Sequence, residues 1–244
     1  MSGLRAAIFD LDGLLVDSEP LWHQAELQVF TALGVPLTEE LVRTTKGRFV
    51  GEVARHWHER FGWQGPSPDD VAARIVDVVG GLLAEHGHLK AGAAGAVAAC
   101  RRRGLRLAVA SSSPRRLIAT TLDRHQLAGC FDVVHSAEDE AQGKPHPDVF
   151  LTTASLLGVD AATCVVFEDS PAGVAAAHAA GMVCVAVPEG PAGDGFASAA
   201  VVLPSLAALD GDTWATLEQA ASKPASGQTA DQHLGVVGEV DGDV

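Results

Sequence analysis

Residues 8–17 read IFDLDGLLVD, an apolar segment interrupted by two carboxylates, Asp10 and Asp12, and by Gly13 directly after them. The apolar residues that precede Asp10 are typical of a buried strand. On a continuing strand, side chains two positions apart point to the same face, so Asp10 and Asp12 are expected to lie together. Gly13 allows the backbone to turn sharply after them. Clustered oxygens of this kind suit Mg²⁺, and one carboxylate can act as a nucleophile, although aspartate is also common where strands become turns.

From Gly104 onward, short apolar runs alternate with helical patterns. The predicted strands are residues 105–110, 131–135, 163–167 and 182–187. Serine followed by proline marks two helix starts, at Ser113 and Ser170, with serine as the cap and proline in the first turn. Strands that alternate with helices predict parallel β-α-β units, and continuous apolar strands predict a sheet covered on both faces. We therefore expect an α/β fold with a Rossmann-like parallel sheet, whose ligands bind beyond the carboxyl ends of the strands.

Residues 18–88 break this alternation, because their apolar residues recur at helical spacing and no predicted strand interrupts them. An all-helical segment inserted directly after the first strand is expected to form a cap domain over the acidic turn. We accordingly divide the chain into a catalytic core of residues 1–17 and 89–212 and a helical cap of residues 18–88. Residues 222–244 are rich in Gly, Ser, Asp and Gln without periodicity, which predicts a disordered tail.

Three further polar clusters follow predicted strands or precede predicted helices. The run Ser111-Ser112-Ser113 supplies hydroxyls and backbone N–H groups at a helix start, which is a natural anion site. Lys144 lies close to two prolines, Pro145 and Pro147, which restrict the local backbone, and the Glu168-Asp169 pair follows a strand. Each cluster alone has an ordinary explanation as a helix cap, a solvated lysine or a turn. Together they place nucleophile, hydroxyl, lysine and acid groups in order along the chain.

Composition excludes several classes of partner. The formal net charge of −14 argues against non-specific binding to nucleic acid or to an anionic membrane. The four cysteines have no CxxC spacing, which favours reduced thiols over a disulfide framework or a zinc site. The amino-terminal residues lack the basic and apolar regions of a signal peptide. We therefore expect a cytoplasmic protein that binds no nucleic acid and no membrane.

Four motifs of the chain resemble the signature motifs of the haloacid-dehalogenase superfamily of phosphotransferases. They read DLDGLLVDSEP, SSSP, GKPHPDVF and FEDSPAGVAAAHAAGM. The resemblance runs over residues 4–188 and is strongest to the β-phosphoglucomutase-like branch. Within that branch, the SEPLW segment of residues 18–22 is most similar to hexitol-phosphate and 2-deoxyglucose-6-phosphate phosphatases. The resemblance implies a phosphomonoesterase that hydrolyses a small sugar or polyol phosphate with Mg²⁺. We expect a monomer, although no feature of the sequence fixes the oligomeric state.

The resemblance also implies a role for each motif residue. Asp10 would attack phosphorus and form an aspartyl-phosphate, and Asp12 would act as the general acid and base. The transferring phosphoryl group would be held by Ser111, Ser112 and Lys144. The implied Mg²⁺ ligands are Asp10, the backbone carbonyl of Asp12, and Asp169, with Glu168 supporting the site from beside it.

Two positions depart from the pattern of the mutases in that branch. Trp22 stands where those enzymes carry histidine, and Val50 aligns with an arginine that orients the sugar phosphate. Without these groups, water is the favoured acceptor, which indicates a phosphatase. A phosphomutase and a catalytically inactive phosphate-binding protein are the alternatives. Trp22 is expected to offer an apolar plane to the substrate. Lys46 is a candidate for contact with the substrate, with a solvated position in a loop or at a helix end as the alternative. His23 is expected to face another side of its helix.

Overall fold

The computed structural model describes residues 3–45 and 48–222. Within these ranges, one sheet contains six parallel strands: β1 (Ala6–Phe9), β2 (Arg106–Ser111), β3 (Val133–Ser136), β4 (Cys164–Glu168), β5 (Val183–Ala186) and β6 (Val201–Val202). Their order across the sheet is β3-β2-β1-β4-β5-β6. The direction in which strands are added reverses between β1 and β4. Open α/β sheets bind ligands at such a reversal, beyond the carboxyl ends of the two strands. The predicted parallel α/β sheet is confirmed.

Helices cover the sheet and fill the segment after β1. Their bounds are α1 (Glu19–Ala32), α2 (Glu39–Arg43), α3 (Val50–Phe61), α4 (Pro68–His86), α5 (Ala93–Arg102), α6 (Arg115–Arg124), α7 (Asp148–Leu157), α8 (Pro171–Ala179) and α9 (Gly211–Ala221). Helix α4 packs against both α1 and α3. In the described part of residues 18–88 the structure contains helices and connections but no strand. None of the helices within the described ranges is long and apolar enough to cross a bilayer.

The central strand β1 packs into two apolar clusters, one on each face of the sheet. Ala7 and Phe9 belong to the first cluster, and the Phe9 ring stacks on Phe167 of β4 with 4.6 Å between ring centroids. Ala6 and Ile8 belong to the second cluster. This burial on both faces explains why the strand sequence is continuously apolar. The first cluster also contains side chains of α1, α3 and α4, so the helical insertion shares an apolar interior with the sheet.

The two Ser-Pro helix starts differ in the structure. Ser170 caps α8 as predicted, because its hydroxyl accepts a hydrogen bond from the Gly173 N–H at 3.0 Å. The same prediction for Ser113 is wrong, because α6 begins at Arg115 and its cap residue, Pro114, has no side-chain hydrogen bond. The Ser113 hydroxyl is engaged elsewhere, as described below.

Strand ends differ from the sequence prediction by one or two residues, and some elements, α5 among them, were not predicted. The predicted strand at residues 131–135 is β3, which begins at Val133, and the predicted strand at residues 163–167 is β4, which extends to Glu168. The short strand β6 and the helix α9 were missed. Because α9 contributes Trp214 to the first apolar cluster, the core extends past residue 212. Lys46 and residues 223–244 of the predicted tail lie outside the described residues.

We expect Trp214→Ala to destabilise the fold by about 3–5 kcal/mol, the usual cost of truncating a large buried aromatic side chain. The Trp214 ring is buried, and the Arg103 guanidinium lies 4.2 Å from its centroid. Urea unfolding measures the difference. Gln219→Ala, at an exposed position of the same helix, is the matched control. Equal stability of the two variants would show that α9 is not part of the folded core.

Candidate active site

The carboxyl ends of three adjacent strands meet at one edge of the sheet. The parallel register pairs Phe9, the last residue of β1, with Val109 of β2 and with Phe167 of β4. Asp10 therefore leaves β1 close to the ends of both neighbouring strands. A cavity lies beyond this edge, walled by core loops and by the helical insertion. Seven of the predicted site residues line it: Asp10, Asp12, Trp22, Ser111, Ser112, Lys144 and Asp169.

Lys144 is buried between two carboxylates. Its Nζ lies 2.5 Å from Oδ1 of Asp10 and 2.5 Å from Oε1 of Glu168, and it also donates to the Ala110 carbonyl at 3.4 Å. The Lys144 side chain is only 3% exposed. A lysine in this position is held by its partners and is not free in solvent. The interpretation of Lys144 as a solvated surface residue is therefore excluded.

Burial and charge act in opposite directions on this group of ionisable residues. Burial lowers the pKa of the Lys144 ammonium, but the adjacent carboxylates of Asp10 and Glu168 outweigh this effect and hold that pKa above its ordinary value. For Asp10, burial raises the pKa most, and Lys144 opposes the rise. The nearby carboxylates of Glu168, Asp169 and Asp12 raise the pKa of Asp10 further, and the balance stands well above the ordinary value. The site thus contains four acidic side chains and one ammonium, an excess of acidic over basic groups.

Glu168 is enclosed behind Lys144. Its Oε2 accepts hydrogen bonds from the Asp169 and Ser170 backbone N–H groups at 3.0 and 3.1 Å, and from the Ser170 hydroxyl at 3.0 Å. A Cβ atom at Gly173 would lie 1.9 Å from the Glu168 carboxyl carbon, so the first turn of α8 needs glycine there. Both oxygens of Glu168 are thus engaged by Lys144 and the loop, which argues against it as a direct metal ligand.

Asp12 receives hydrogen bonds from both the core and the helical insertion. The Ser113 hydroxyl donates to Oδ2 at 2.6 Å, and the more distant Ser111 hydroxyl lies 3.4 Å from the same atom. The Trp22 indole N–H donates to Oδ1 at 3.2 Å. This explains why Ser113 does not cap α6. The structure thus adds a polar contact to the apolar plane expected of Trp22, because the indole N–H donates to the Asp12 carboxylate.

Asp169 approaches the loop between Asp10 and Gly13 very closely. A Cβ atom at Gly13 would lie 2.3 Å from Oδ2 of Asp169, and Gly13 has a positive φ of 81°. Only glycine combines this backbone conformation with that approach. Two carboxylates and the backbone carbonyls of this loop form the oxygen-rich donor set that Mg²⁺ prefers. In the described part of the chain, no three His, Cys, Asp or Glu side chains form a metal cluster. A site with few side-chain ligands is nonetheless compatible with Mg²⁺, which usually keeps several waters.

The wall of the cavity opposite the sheet comes from α1 and the α2–α3 connection. Besides Trp22, three residues of α1 line the cavity: Glu19, His23 and Glu26. The sequence analysis did not select Glu19 or Glu26, and it did not place His23 at the site. His23 was expected on another side of the helix, but the α1 wall is wide enough to include it. Arg48 and Val50 also line the cavity. The sequence did contain a signal for Glu26. It lies four positions after Trp22, and therefore on the same side of α1, where an acidic residue stands among apolar ones.

Glu26 is a buried acid with a perturbed proton equilibrium. Burial raises its pKa from 4.5 to about 8, and the nearby carboxylate of Glu19 contributes to the rise. Between these two pH values, folded Glu26 keeps a proton that the unfolded chain loses. The contribution of this residue to stability is therefore greatest below the unfolded value and declines as the pH rises toward the folded value.

We expect Glu26→Gln to remove this pH-dependent loss of stability. The variant should resemble the wild type at about pH 5 and melt at a higher temperature than the wild type at about pH 8.5, because glutamine cannot ionise. Thermal unfolding at several pH values measures the difference. Because the two proteins differ at one titratable position, the other titrating groups cancel in the comparison. A difference in Tm that is constant with pH would contradict the shifted pKa.

Comparison with known proteins identifies the family and several similar phosphatases. The family model for haloacid dehalogenase-like hydrolases matches residues 4–181. Hexitol phosphatase B of Escherichia coli (strain K12) is 42% identical over 186 residues, which cover 76% of this chain and 84% of that protein. The phosphorylated carbohydrates phosphatase of Thermotoga maritima is 32% identical over 179 residues, which cover 73% of this chain and 82% of that protein.

A solved structure extends the likeness to the fold. The crystal structure of CbbY from Rhodobacter sphaeroides in complex with phosphate superposes with a TM-score of 0.77 at 30% identity, covering 88% of this chain and 99% of that chain. The family match spans both the first acidic loop and the second, and the helical insertion lies between them. The chain belongs to the haloacid dehalogenase-like hydrolase family.

Proposed function

We propose that the protein is a Mg²⁺-dependent phosphatase that hydrolyses small sugar or polyol phosphates through an aspartyl-phosphate. The observation that carries this proposal is the position of Asp10, which is held by buried Lys144 at 2.5 Å and shares one cavity with Asp12. The similarity to a hexitol phosphatase and to a phosphorylated carbohydrates phosphatase favours a polyhydroxylated substrate. The family match and these relatives argue against an inactive phosphate-binding protein.

Asp10 acts as the nucleophile in this scheme. Its carboxylate attacks phosphorus in line with the leaving alcohol, and an acyl phosphate forms as the ester P–O bond breaks. Lys144 supports this role because its ammonium favours the ionised carboxylate against the effect of burial. The same ammonium, with the Ser111 hydroxyl and the Ser112 backbone, stabilises negative charge on the transferring phosphoryl oxygens.

Asp12 moves the protons. It donates a proton to the departing sugar oxygen, and later takes one from the water that hydrolyses the acyl phosphate and releases inorganic phosphate. The hydrogen bonds from Ser113 and Trp22 hold its two oxygens in a defined orientation. A proton carrier must lie within hydrogen-bond reach of both the leaving oxygen and the water, so this orientation is part of catalysis.

The residues present fit a magnesium ion. Asp10, the backbone carbonyl of Asp12, and Asp169 would hold it, with Glu168 acting indirectly through its contact with Lys144. When bound, the ion neutralises charge between the carboxylates and the phosphate. The excess of acidic side chains over Lys144 described above favours a cation at this position.

Water is the favoured phosphoryl acceptor in this proposal. A mutase must hold a second sugar phosphate in line and exclude water. In mutases, two polar residues help to hold the sugar phosphate. In this chain the corresponding positions are occupied by Trp22, whose N–H donates to Asp12, and by the apolar Val50. Neither supplies a free polar group to a second phosphate.

The proposed function is tested by phosphate release from a panel of hexitol and hexose phosphates with Mg²⁺. Asp10→Asn should abolish turnover, because an amide is a poor nucleophile. Asp12→Asn should reduce kcat by about 10²–10⁴-fold, the usual contribution of general acid–base catalysis. Asp123→Asn, an exposed aspartate on α6, is the matched control. A near-normal rate for Asp10→Asn would refute the assignment of the nucleophile.

The choice of acceptor is tested separately. The wild type is incubated with β-glucose 1-phosphate and a bisphosphate primer, and both products are followed with time. We expect inorganic phosphate as the dominant product. Formation of glucose 6-phosphate faster than inorganic phosphate would establish a mutase instead.

The two acids after β4 are expected to differ in their effect on metal dependence. Asp169→Asn should raise the apparent Kd for Mg²⁺ strongly, because a neutral amide oxygen is a much weaker ligand than the carboxylate proposed to contact the ion. Glu168→Gln should lower kcat with a smaller change in that Kd, because it disturbs Lys144. Titration of activity with Mg²⁺ after treatment with a chelator measures both effects. Equal shifts in the two variants, or activity indifferent to the chelator, would contradict the proposed ligand set.

Two variants separate the polar and apolar roles of Trp22. Trp22→Phe keeps an aromatic plane but removes the N–H that holds Asp12, and kcat should fall by about 2–10-fold, as expected for one hydrogen bond. Trp22→Ala should in addition raise KM and change the preference among sugar phosphates. Steady-state kinetics on two sugar phosphates measure the split. An unchanged kcat for Trp22→Phe would show that the hydrogen bond does not serve catalysis.

A further inference from the structure

Helix α1 presents one continuous face to the active-site cavity. The face is formed by Glu19, Trp22, His23 and Glu26, which recur at the three- and four-residue spacing of a single helix side. Trp22 reaches the reacting end of the cavity, since it donates to Asp12. Glu26 lies one turn further along α1. Glu26 therefore lines the cavity wall one helical turn beyond Trp22, the residue that contacts Asp12.

Glu26 is unusually placed for an acidic residue. It is only 7% exposed, and its Oε2 atom is fully buried without a hydrogen-bond partner among the described residues. Its neighbours in α1 include the buried apolar residues Ala25, Val29 and Phe30. Burying a polar oxygen without a partner costs stability, and a buried carboxylate costs more than a neutral acid. An unpartnered carboxyl group buried at such a cost in the wall of a ligand cavity is a candidate for contact with the ligand.

The chemistry of a neutral carboxyl group matches that of a hydroxyl group. The raised pKa described above keeps Glu26 largely protonated near neutral pH. A protonated carboxyl group donates one hydrogen bond and accepts others, so it can pair with an alcohol in either direction. It carries no charge that would repel an anionic substrate. It also lacks the positive charge needed to bind the phosphate, which the proposed function assigns to Lys144 and the serines.

We propose that Glu26 is a specificity-determining residue that hydrogen bonds a hydroxyl group on the carbon chain of the substrate, away from the phosphate. This inference rests on the proposed function, and it assigns a polyhydroxylated chain to the α1 wall of the same cavity. The unpartnered Oε2 atom is satisfied when the substrate is bound. An ester without hydroxyl groups leaves it unsatisfied, and a site built to bind a hydroxyl discriminates strongly against such an analogue.

The test compares two phosphate esters with six-carbon chains, sorbitol 6-phosphate and n-hexyl phosphate. For each protein, the ratio of the two kcat/KM values reports recognition of the hydroxyl groups. The proteins are the wild type, Glu26→Gln, Glu26→Met and Glu26→Asp. Gln28→Met, on the exposed side of the same helix, is the matched control for a new methionine in α1. Thermal unfolding of every variant is measured in the same buffer.

We expect the wild type and Gln28→Met to prefer sorbitol 6-phosphate. Glu26→Met should lower the ratio by at least about tenfold, because a thioether cannot replace both the donor and the acceptor. Its Tm should equal or exceed that of the wild type, because the unpartnered polar group is gone. Glu26→Gln should keep the ratio within about threefold, because an amide also donates and accepts. Glu26→Asp retracts the carboxyl group from the cavity and should also lower the ratio. If Glu26→Met does not fold, the result for Glu26→Asp decides whether Glu26 recognises the hydroxyl groups.

The outcomes distinguish this inference from the proposed function. If the ratio of the two kcat/KM values is unchanged in Glu26→Met and Glu26→Asp, the proposed role of Glu26 is wrong. It is also wrong if these variants lose activity equally on both esters and have a lowered Tm, since that result indicates a structural role. In either case hydrolysis by the wild type leaves the proposed function intact. A wild type that releases phosphate from neither ester overturns the proposed function, and the inference with it.

Discussion

The buried ammonium of Lys144 joins the two acidic loops of the active site. It lies within 2.5 Å of Asp10, at the end of β1, and of Glu168, at the end of β4. These carboxylates are 8% and 1% exposed, so neither is well solvated, and both depend on the ammonium and on hydrogen bonds for polar contacts. Removing the lysine would leave two adjacent acids uncompensated at the point where the strand order reverses. The geometry of the candidate nucleophile therefore depends on a residue more than 130 positions away in the chain.

The same interaction sets the electrostatic character of the site. Lys144 compensates part of the negative charge that Asp10, Asp12, Glu168 and Asp169 bring to one edge of the sheet. The remainder is a field that attracts a divalent cation and, without one, disfavours an anionic ester. Gly13 permits Asp169 to approach the first loop closely enough for both loops to share a ligand. These features favour the proposed binding of a cation and a phosphate at the same edge of the sheet.

The helical insertion contributes directly to this arrangement. Asp12 is held on one oxygen by Ser113 of the core and on the other by Trp22 of α1. The orientation of the proposed acid–base group therefore depends on the position of α1 relative to the sheet. Because Glu26 lies on the same helix face, the helix that orients Asp12 also lines the wall along which the rest of a substrate would lie. The proposed catalytic role of Asp12 and the proposed specificity role of Glu26 are in this way linked through one helix.

Local patterns in the sequence were sufficient for the parallel sheet, the helical insertion and the acidic loops, because apolar periodicity and glycine placement act over a few residues. The Asp10–Gly13 loop, the serine run and the Glu168-Asp169 pair could be assigned to strand ends for the same reason. The hydroxyl of Ser113 was misassigned because a cap and a contact with Asp12 look identical along the chain, and the choice depends on which acceptor is close in space. The burial of Lys144, the indole contact of Trp22 and the unpartnered oxygen of Glu26 arise from packing between segments far apart in sequence. Long-range packing fixes which polar atoms meet, and no local pattern carries that information.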